Sequence, residues 1–358
     1  MNQETGKLFN ILRFPLICGV LFIHIYLLFP GDACSSAPGH AAWRRFLENA
    51  TSQYASRCCV PLFFLMSGYL FFGGRRVELC EWLGKLRRRI RSIVFPYLTW
   101  NLVGIAVLVM PYLLHRWTGI GTMSPDNVFA RTTWTSMPGM LAGFFGLTQQ
   151  YPVNYPLWFL RDLFLLCLAA PLLDLLLARA GIVWIALLAP VWYFGVGLPL
   201  HTETEALFFF SAGAWLSLND PDLTIVDRLG RGFLAVWPFT LVIASLPVDA
   251  DEGARIRRIC IICGVFGILW LGKRILHHRR LSDVLTRLGG FTIMVYGAHA
   301  LILLPMVKLL PLLGPLSDVQ ATLIYFTMLP VLCGVILPGS LIARRFAPQF
   351  HSLFSGGR

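Results

Sequence analysis

Three stretches of this chain, Phe14 to Phe29, Ile182 to Leu200 and Ala321 to Leu337, contain no Asp, Glu, Lys or Arg. Runs of that length approach the roughly 20 apolar residues that a helix needs to cross a bilayer. Of the 358 residues 56% are hydrophobic and 13% charged, against a charged share of roughly 25% in a soluble domain. The predicted fold is therefore all-α, a polytopic transmembrane helical bundle.

Apolar runs read against breakers predict about ten spans, near 8–29, 55–73, 93–114, 157–177, 182–200, 206–219, 233–248, 258–272, 291–310 and 319–341. The span at 206–219 is short for a crossing, and the stretch from Met137 to Leu147 reads as a re-entrant or interfacial piece. The first run is too long for a signal-peptide core and is followed by no A-x-A site, so it is expected to remain as the first helix. No Gly/Ser-rich linker or soluble-sized segment interrupts the spans, so residues 1–358 are read as a single membrane domain.

The net charge of +12 follows topology rather than a nucleic-acid partner. Basic residues collect in Arg75 to Arg91, Lys273 to Arg287 and Arg344 to Arg358, and the acidic cluster Asp249, Asp251 and Glu252 falls between two of these groups. Placing the N-terminus inside puts the densest run, Lys85, Arg87, Arg88, Arg89 and Arg91, on the cytosolic side, as the positive-inside bias requires. Both termini are then cytosolic, and a bacterial cytoplasmic (inner) membrane is the expected location.

Cys18, Cys167, Cys260, Cys263 and Cys333 sit in apolar runs, where the residue behaves as a small hydrophobe. The Cys260/Cys263 pair has no matching second pair, and no zinc or other metal site is expected. Cys34 has two candidate disulfide partners, Cys58 and Cys59, if its loop faces an oxidising compartment. His40, His115, His201, His277 and His278 fall in loops without metal-ligand spacing and read as solvated.

The first predicted helix holds two ionisable residues among apolar neighbours, Arg13 and His24. At 100° per residue, their 11-residue separation closes to within about 20° of three full turns, so both leave one face, about 16 Å apart along the axis. Arg13 also admits a plain reading, in which its head snorkels to inner-leaflet headgroups. His24 admits one as a satisfied structural histidine. Intramembrane ionisable residues commonly face a cavity or a partner, and the shared face strengthens that reading for both.

The Arg-and-His spacing resembles the first helix of acyltransferase family 3, a family of integral membrane acyltransferases. The resemblance extends in order through VPLFFLMSGYLFF (Val60 to Phe72), a basic run before FPY (Phe95 to Tyr97), PLWFLRDLF (Pro156 to Phe164) and YGAH (Tyr296 to His299), and so covers most of the chain. The family also carries a paired-arginine motif, which Arg88 and Arg91 match in spacing, although the run KLRRRIR leaves the register ambiguous.

The resemblance implies transfer of an acyl group, most commonly acetyl, from acetyl-CoA or another acyl-CoA to a hydroxyl of a carbohydrate, glycolipid or related cell-envelope acceptor, with no permanently bound cofactor. It implies His24 as general base and Arg13 as a donor or structural contact, with Arg88 and Arg91 toward the donor. Tyr296 and His299, three residues apart on one helical face, become candidate cavity liners, with a packed tyrosine and a satisfied histidine as the plain reading. Trp158, Arg161 and Asp162 become candidates for acceptor contact, or else an interfacial anchor beside a salt bridge. A transporter or flippase for a glycolipid or small acid is the competing class, although no internal repeat supports it; a catalytically silent sensor or scaffold is a third.

Overall fold

The computed structural model describes residues 3–26, 42–118, 144, 151–197, 203–245 and 250–357, and among them the secondary structure is helical throughout. The order is α1 (Gln3–Ile25), α2 (Ala42–Phe72), α3 (Leu79–Arg89), α4 (Phe95–Thr118), α5 (Trp158–Leu168), α6 (Ala170–Ala180), α7 (Ile182–Tyr193), α8 (Thr204–Asn219), α9 (Thr224–Ala244), α10 (Ala250–Ile275), α11 (Arg279–Gly289), α12 (Thr292–Leu309), α13 (Asp318–Phe346) and α14 (Pro348–Ser355). Each of the ten expected spans overlaps a helix. Judged by length and composition, four helices among the described residues suffice to cross a membrane, or up to six if each bent pair is one span. The count of ten is thus not reached by that measure, because α7 and α8 are short and α9 and α10 carry charges at their ends. The re-entrant piece from Met137 to Leu147 lies outside the described residues apart from Phe144, as do Cys34, His40, His201 and Asp249.

Helix α1 is buried on most of its circumference. Leu8, Phe9, Ile11, Leu12, Leu16, Ile17, Val20, Leu21 and Ile25 are all sheltered, and α2, α10, α11, α12 and α13 pack around it. A helix that is apolar all round belongs in the interior of a bundle. The outer helices show the converse pattern: Val236, Phe239 and Val242 on α9, and Leu323, Val331 and Val335 on α13, are exposed apolar side chains of the kind a lipid-facing surface presents.

Local chemistry sets the breaks. Pro171 near the start of α6 bends α5–α6 by 63°. Gly289 and Gly290 bend α11–α12 by 58°, and Thr292 Oγ1 donates to the freed Gly289 carbonyl at 2.8 Å. A Cβ at Gly289 would sit 2.8 Å from the Asn10 carbonyl oxygen, so this bend packs directly on α1 beside Arg13. Helix α13 opens on a capping box in which Ser317 Oγ accepts from the Gln320 N–H and Gln320 Oε1 accepts from the Ser317 N–H.

Two π-helical turns interrupt α2 (Asn49–Ala55) and join α3 to α4 (Ile90–Val94). The first is braced from two sides: Ser52 Oγ donates to the Phe22 carbonyl at 2.6 Å, and the Tyr325 hydroxyl of α13 bonds to both Thr51 and Ser52.

Candidate active site

Arg13, Ile17, Val20 and His24 recur at the three- and four-residue spacing of one helical stripe. The first three line a cavity of about 90 Å³, walled by Met66 and Ser67 of α2, Phe159 and Leu163 of α5, and Thr292 and Tyr296 of α12. Arg89 and Ser92 complete its basic end, and no carboxylate is among its described lining residues. Arg13 and Arg89 are near enough to repel, so this end is built to receive a negative group. A groove of about 290 Å³ lined by Lys85, Arg88, Arg89 and Ser92 adjoins it and shares Arg89, Ser92 and Leu70 with the cavity.

The two candidate donor arginines are thereby separated. Arg88 lies in the adjoining groove, whereas Arg91 is exposed beside the C-terminal Gly357. The π turn widens the helix just after Arg89, so that Arg89, Ser92 and Ile93 share the inward face.

One turn beyond Val20, His24 meets two side chains that are remote in sequence. Its Nδ1 is 2.8 Å from the Tyr155 hydroxyl, and its ring lies 4.9 Å from that of His299, centroid to centroid. His299 is fully buried. Its Nδ1 is 2.7 Å from the Tyr296 carbonyl oxygen and 3.2 Å from that of Val295. Carbonyls only accept, so Nδ1 carries the proton and Nε2 is a lone pair; that Nε2 is buried with no hydrogen-bond partner among the described residues. Tyr296 donates its hydroxyl to the Pro156 carbonyl and spans from the cavity to the histidine pair.

The strand of backbone that presents Tyr155 is pinned by Asn154, whose N–H donates to Asn101 Oδ1 at 3.0 Å and whose Nδ2 donates to the Gly297 carbonyl at 3.0 Å. Tyr155 is absent from the residues singled out by sequence; adjacency to the PLWFLRDLF landmark is the one signal that marks it. Ser92 and the inward role of Arg89 likewise appear only with the π turn in place.

Trp158, Arg161 and Asp162 do not join the histidines in hydrogen bonding. Arg161 Nε and Asp162 Oδ1 form a buried pair at 2.8 Å, and Asp162 Oδ2 accepts from the Glu203 N–H at 3.1 Å. This is an interior tie between α5 and the segment entering α8. Trp158 packs against Phe64. Cys58 and Cys59 are buried free thiols, as are Cys260 and Cys263, and His277 and His278 are exposed.

The family model described as an acyltransferase domain matches residues 8–345. The succinoglycan biosynthesis protein ExoH of Rhizobium meliloti (strain 1021) is similar over the whole length, 27% identical over 383 aligned positions that cover 100% of this chain and 94% of that protein. No solved structure matches. With its helical membrane bundle, its charged interior stripe and a family match spanning nearly every helix, this chain belongs to the integral membrane acyltransferases of acyltransferase family 3.

Proposed function

We propose that this protein takes an acyl group, acetyl in the simplest case, from cytosolic acyl-CoA and esterifies a hydroxyl of a cell-envelope carbohydrate. The observation that carries this reading is the placement of a basic cavity, with no carboxylate among its described lining residues, on the same α1 stripe as His24, whose ring lies against the fully buried His299. Similarity to a protein named for succinoglycan biosynthesis supports a polysaccharide acceptor.

Arginines of the groove and cavity, Arg88, Arg89 and Arg13, suit the phosphates and thioester arm of a CoA donor, since guanidinium groups pair bidentately with phosphate. At the other end, the tautomer in which His24 Nδ1–H donates to Tyr155 Oη leaves Nε2 free to act as base. The acceptor hydroxyl gives its proton to His24 as its oxygen attacks the thioester carbon. Collapse of the tetrahedral adduct breaks the C–S bond, and the imidazolium returns the proton to the departing thiolate, giving an ester and free CoA-SH.

A general base of this kind contributes roughly 10² to 10⁴ in rate. In a strain lacking the gene, complementation with His24→Ala is expected to leave surface glycans without the ester groups that the wild-type chain restores, at equal protein level and membrane insertion. Full ester content by mass spectrometry of the His24→Ala strain would reject His24 as the base. Passage of labelled glycolipid across proteoliposomes without acyl-CoA is the result that would favour the transporter reading.

A further inference from the structure

Beside His24, where α2 packs level with Gly19–Phe22 of α1, two half-buried arginines each hold a buried Nε that lacks an acceptor among the described residues. Arg57 lies on the short 3₁₀ turn Ser56–Cys58 that follows the first π turn of α2. One guanidinium nitrogen donates to Gln53 Oε1 at 2.6 Å, while Nε is buried with no acceptor among the described residues. Arg257 of α10 spreads over the Tyr54 ring, 5.7 Å from Cζ to centroid, and its Nε is likewise buried and unpartnered. Arg57 is within electrostatic reach of both Arg257 and His24.

One carboxylate, Glu205, acts favourably on the Arg57 charge but makes no hydrogen bond or ion pair with it; its Oε2 takes the Trp192 Nε1–H at 3.4 Å. Arg258, close to the same glutamate, donates to the Tyr193 carbonyl at 2.8 Å. The tyrosines that face Arg57, Tyr26 and Tyr151, bring phenols rather than carboxylates. A buried guanidinium N–H with no acceptor is costly, and a planar anion that accepts two hydrogen bonds is the group it fits.

We infer that Arg57 and Arg257 form a subsite for a substrate carboxylate beside the reacting histidine. The inference rests on the acyltransferase reading above and extends it to substrate class. Two substrates can bring that carboxylate: an acceptor containing an acidic sugar, or a donor acyl chain ending in a second carboxyl group. Their shared chemistry is an anion reaching the histidine end of the stripe, opposite the end that suits CoA phosphates.

The test measures binding to the full-length chain in lipid nanodiscs with matched probes: methyl glucuronoside against methyl glucoside, and glutaryl-CoA against valeryl-CoA. The wild-type protein is expected to prefer one acid probe over its neutral match by at least about tenfold, and the sugar or the acyl pair showing the preference names the source. Arg57→Gln and Arg257→Gln are expected to cut that preference below about twofold, and Arg57→Lys to keep part of it. No acid preference in the wild type, or a preference unchanged in both Gln variants, overturns the subsite. If a Gln variant fails to fold, the wild-type comparison together with Arg57→Lys decides. His24→Ala reads out separately, because loss of transfer there with the acid preference intact leaves the subsite standing, and retained transfer there condemns the base while leaving this test unaffected.

Discussion

The protonation of His299 is settled by its neighbours more firmly than that of His24. Two backbone carbonyls hold its Nδ1 as a donor, whereas the tyrosine hydroxyl against His24 Nδ1 serves either tautomer. Asn places an amide N–H near the position of Nδ1 while removing the Nε2 lone pair. His299→Asn is therefore expected to keep the helix contact and lower turnover by at least about tenfold, with less effect on KM. Unchanged kcat in membranes with wild-type protein content would show that His299 only packs. At the connection between α8 and α9, Asp220 gives a case testable without substrate. Slight burial works against its charge, but hydrogen bonds from the Ile225 and Thr224 N–H groups and the Thr224 hydroxyl outweigh it and hold the carboxyl below the usual range. Because the folded form favours the carboxylate, the stabilisation is present above the ordinary Asp pKa and is lost as pH falls through the lowered one. Asp220→Ala is expected to cost about 1 kcal/mol at neutral pH, as for loss of a helix cap, and to match wild type in strongly acidic buffer. Thermal unfolding in detergent across pH checks both halves.

The elements divide into those legible in the sequence and those that depend on contacts far along the chain. Charge-free runs locate every long helix, because excluding charge from hydrocarbon acts on each segment independently; α1 and α13 are read nearly end to end this way. The register inside KLRRRIR is not local in that sense. Spacing offers Arg88 and Arg91, but the π turn at Ile90–Val94 brings Arg89 to the cavity and leaves Arg91 exposed. The contacts of Tyr155, Arg57 and Arg257 are equally invisible, since each rests on pairing between segments that no periodicity links. Helix packing shows the same dependence. A Cβ at Gly68 would sit 2.1 Å from the Phe210 carbonyl oxygen, and one at Gly213 would sit 1.9 Å from that of Leu65, so α2 and α8 meet backbone to backbone at two points. Small residues permit such contact, the main source of helix attraction within lipid. Gly213→Ala is expected to destabilise by about 1–3 kcal/mol through overpacking. Gly84→Ala on α3, where an added Cβ meets nothing within 4 Å, is expected to stabilise by roughly 0.5–1 kcal/mol. Thermal stability in one detergent compares the two directly, and equal shifts would contradict the close packing of α2 on α8.

For the whole molecule, every step of the proposed chemistry depends on which end of α1 faces the cytosol. The basic groove, the amphipathic α3 with exposed Leu79 and Leu83 beside its arginines, and the entrance to the Arg13 cavity all lie at one end. The histidine pair and the Arg57–Arg257 pair lie toward the other. An intracellular CoA donor reaches the reaction only if the basic end is inside, as the positive-inside bias predicts. Cys80, a free and exposed thiol on α3, reports this directly. In a chain retaining Cys80 as its single cysteine, a membrane-impermeant maleimide is expected to label inverted membrane vesicles and to leave intact spheroplasts unlabelled until they are permeabilised. Adding acyl-CoA to the inverted vesicles is expected to slow labelling at Cys80, because Lys85, Arg88 and Arg89 lie one to three turns along from it on the same short helical segment. Labelling from outside intact spheroplasts would invert the molecule, place the arginine end away from the CoA pool, and remove the physical basis for a donor entering beside Arg13.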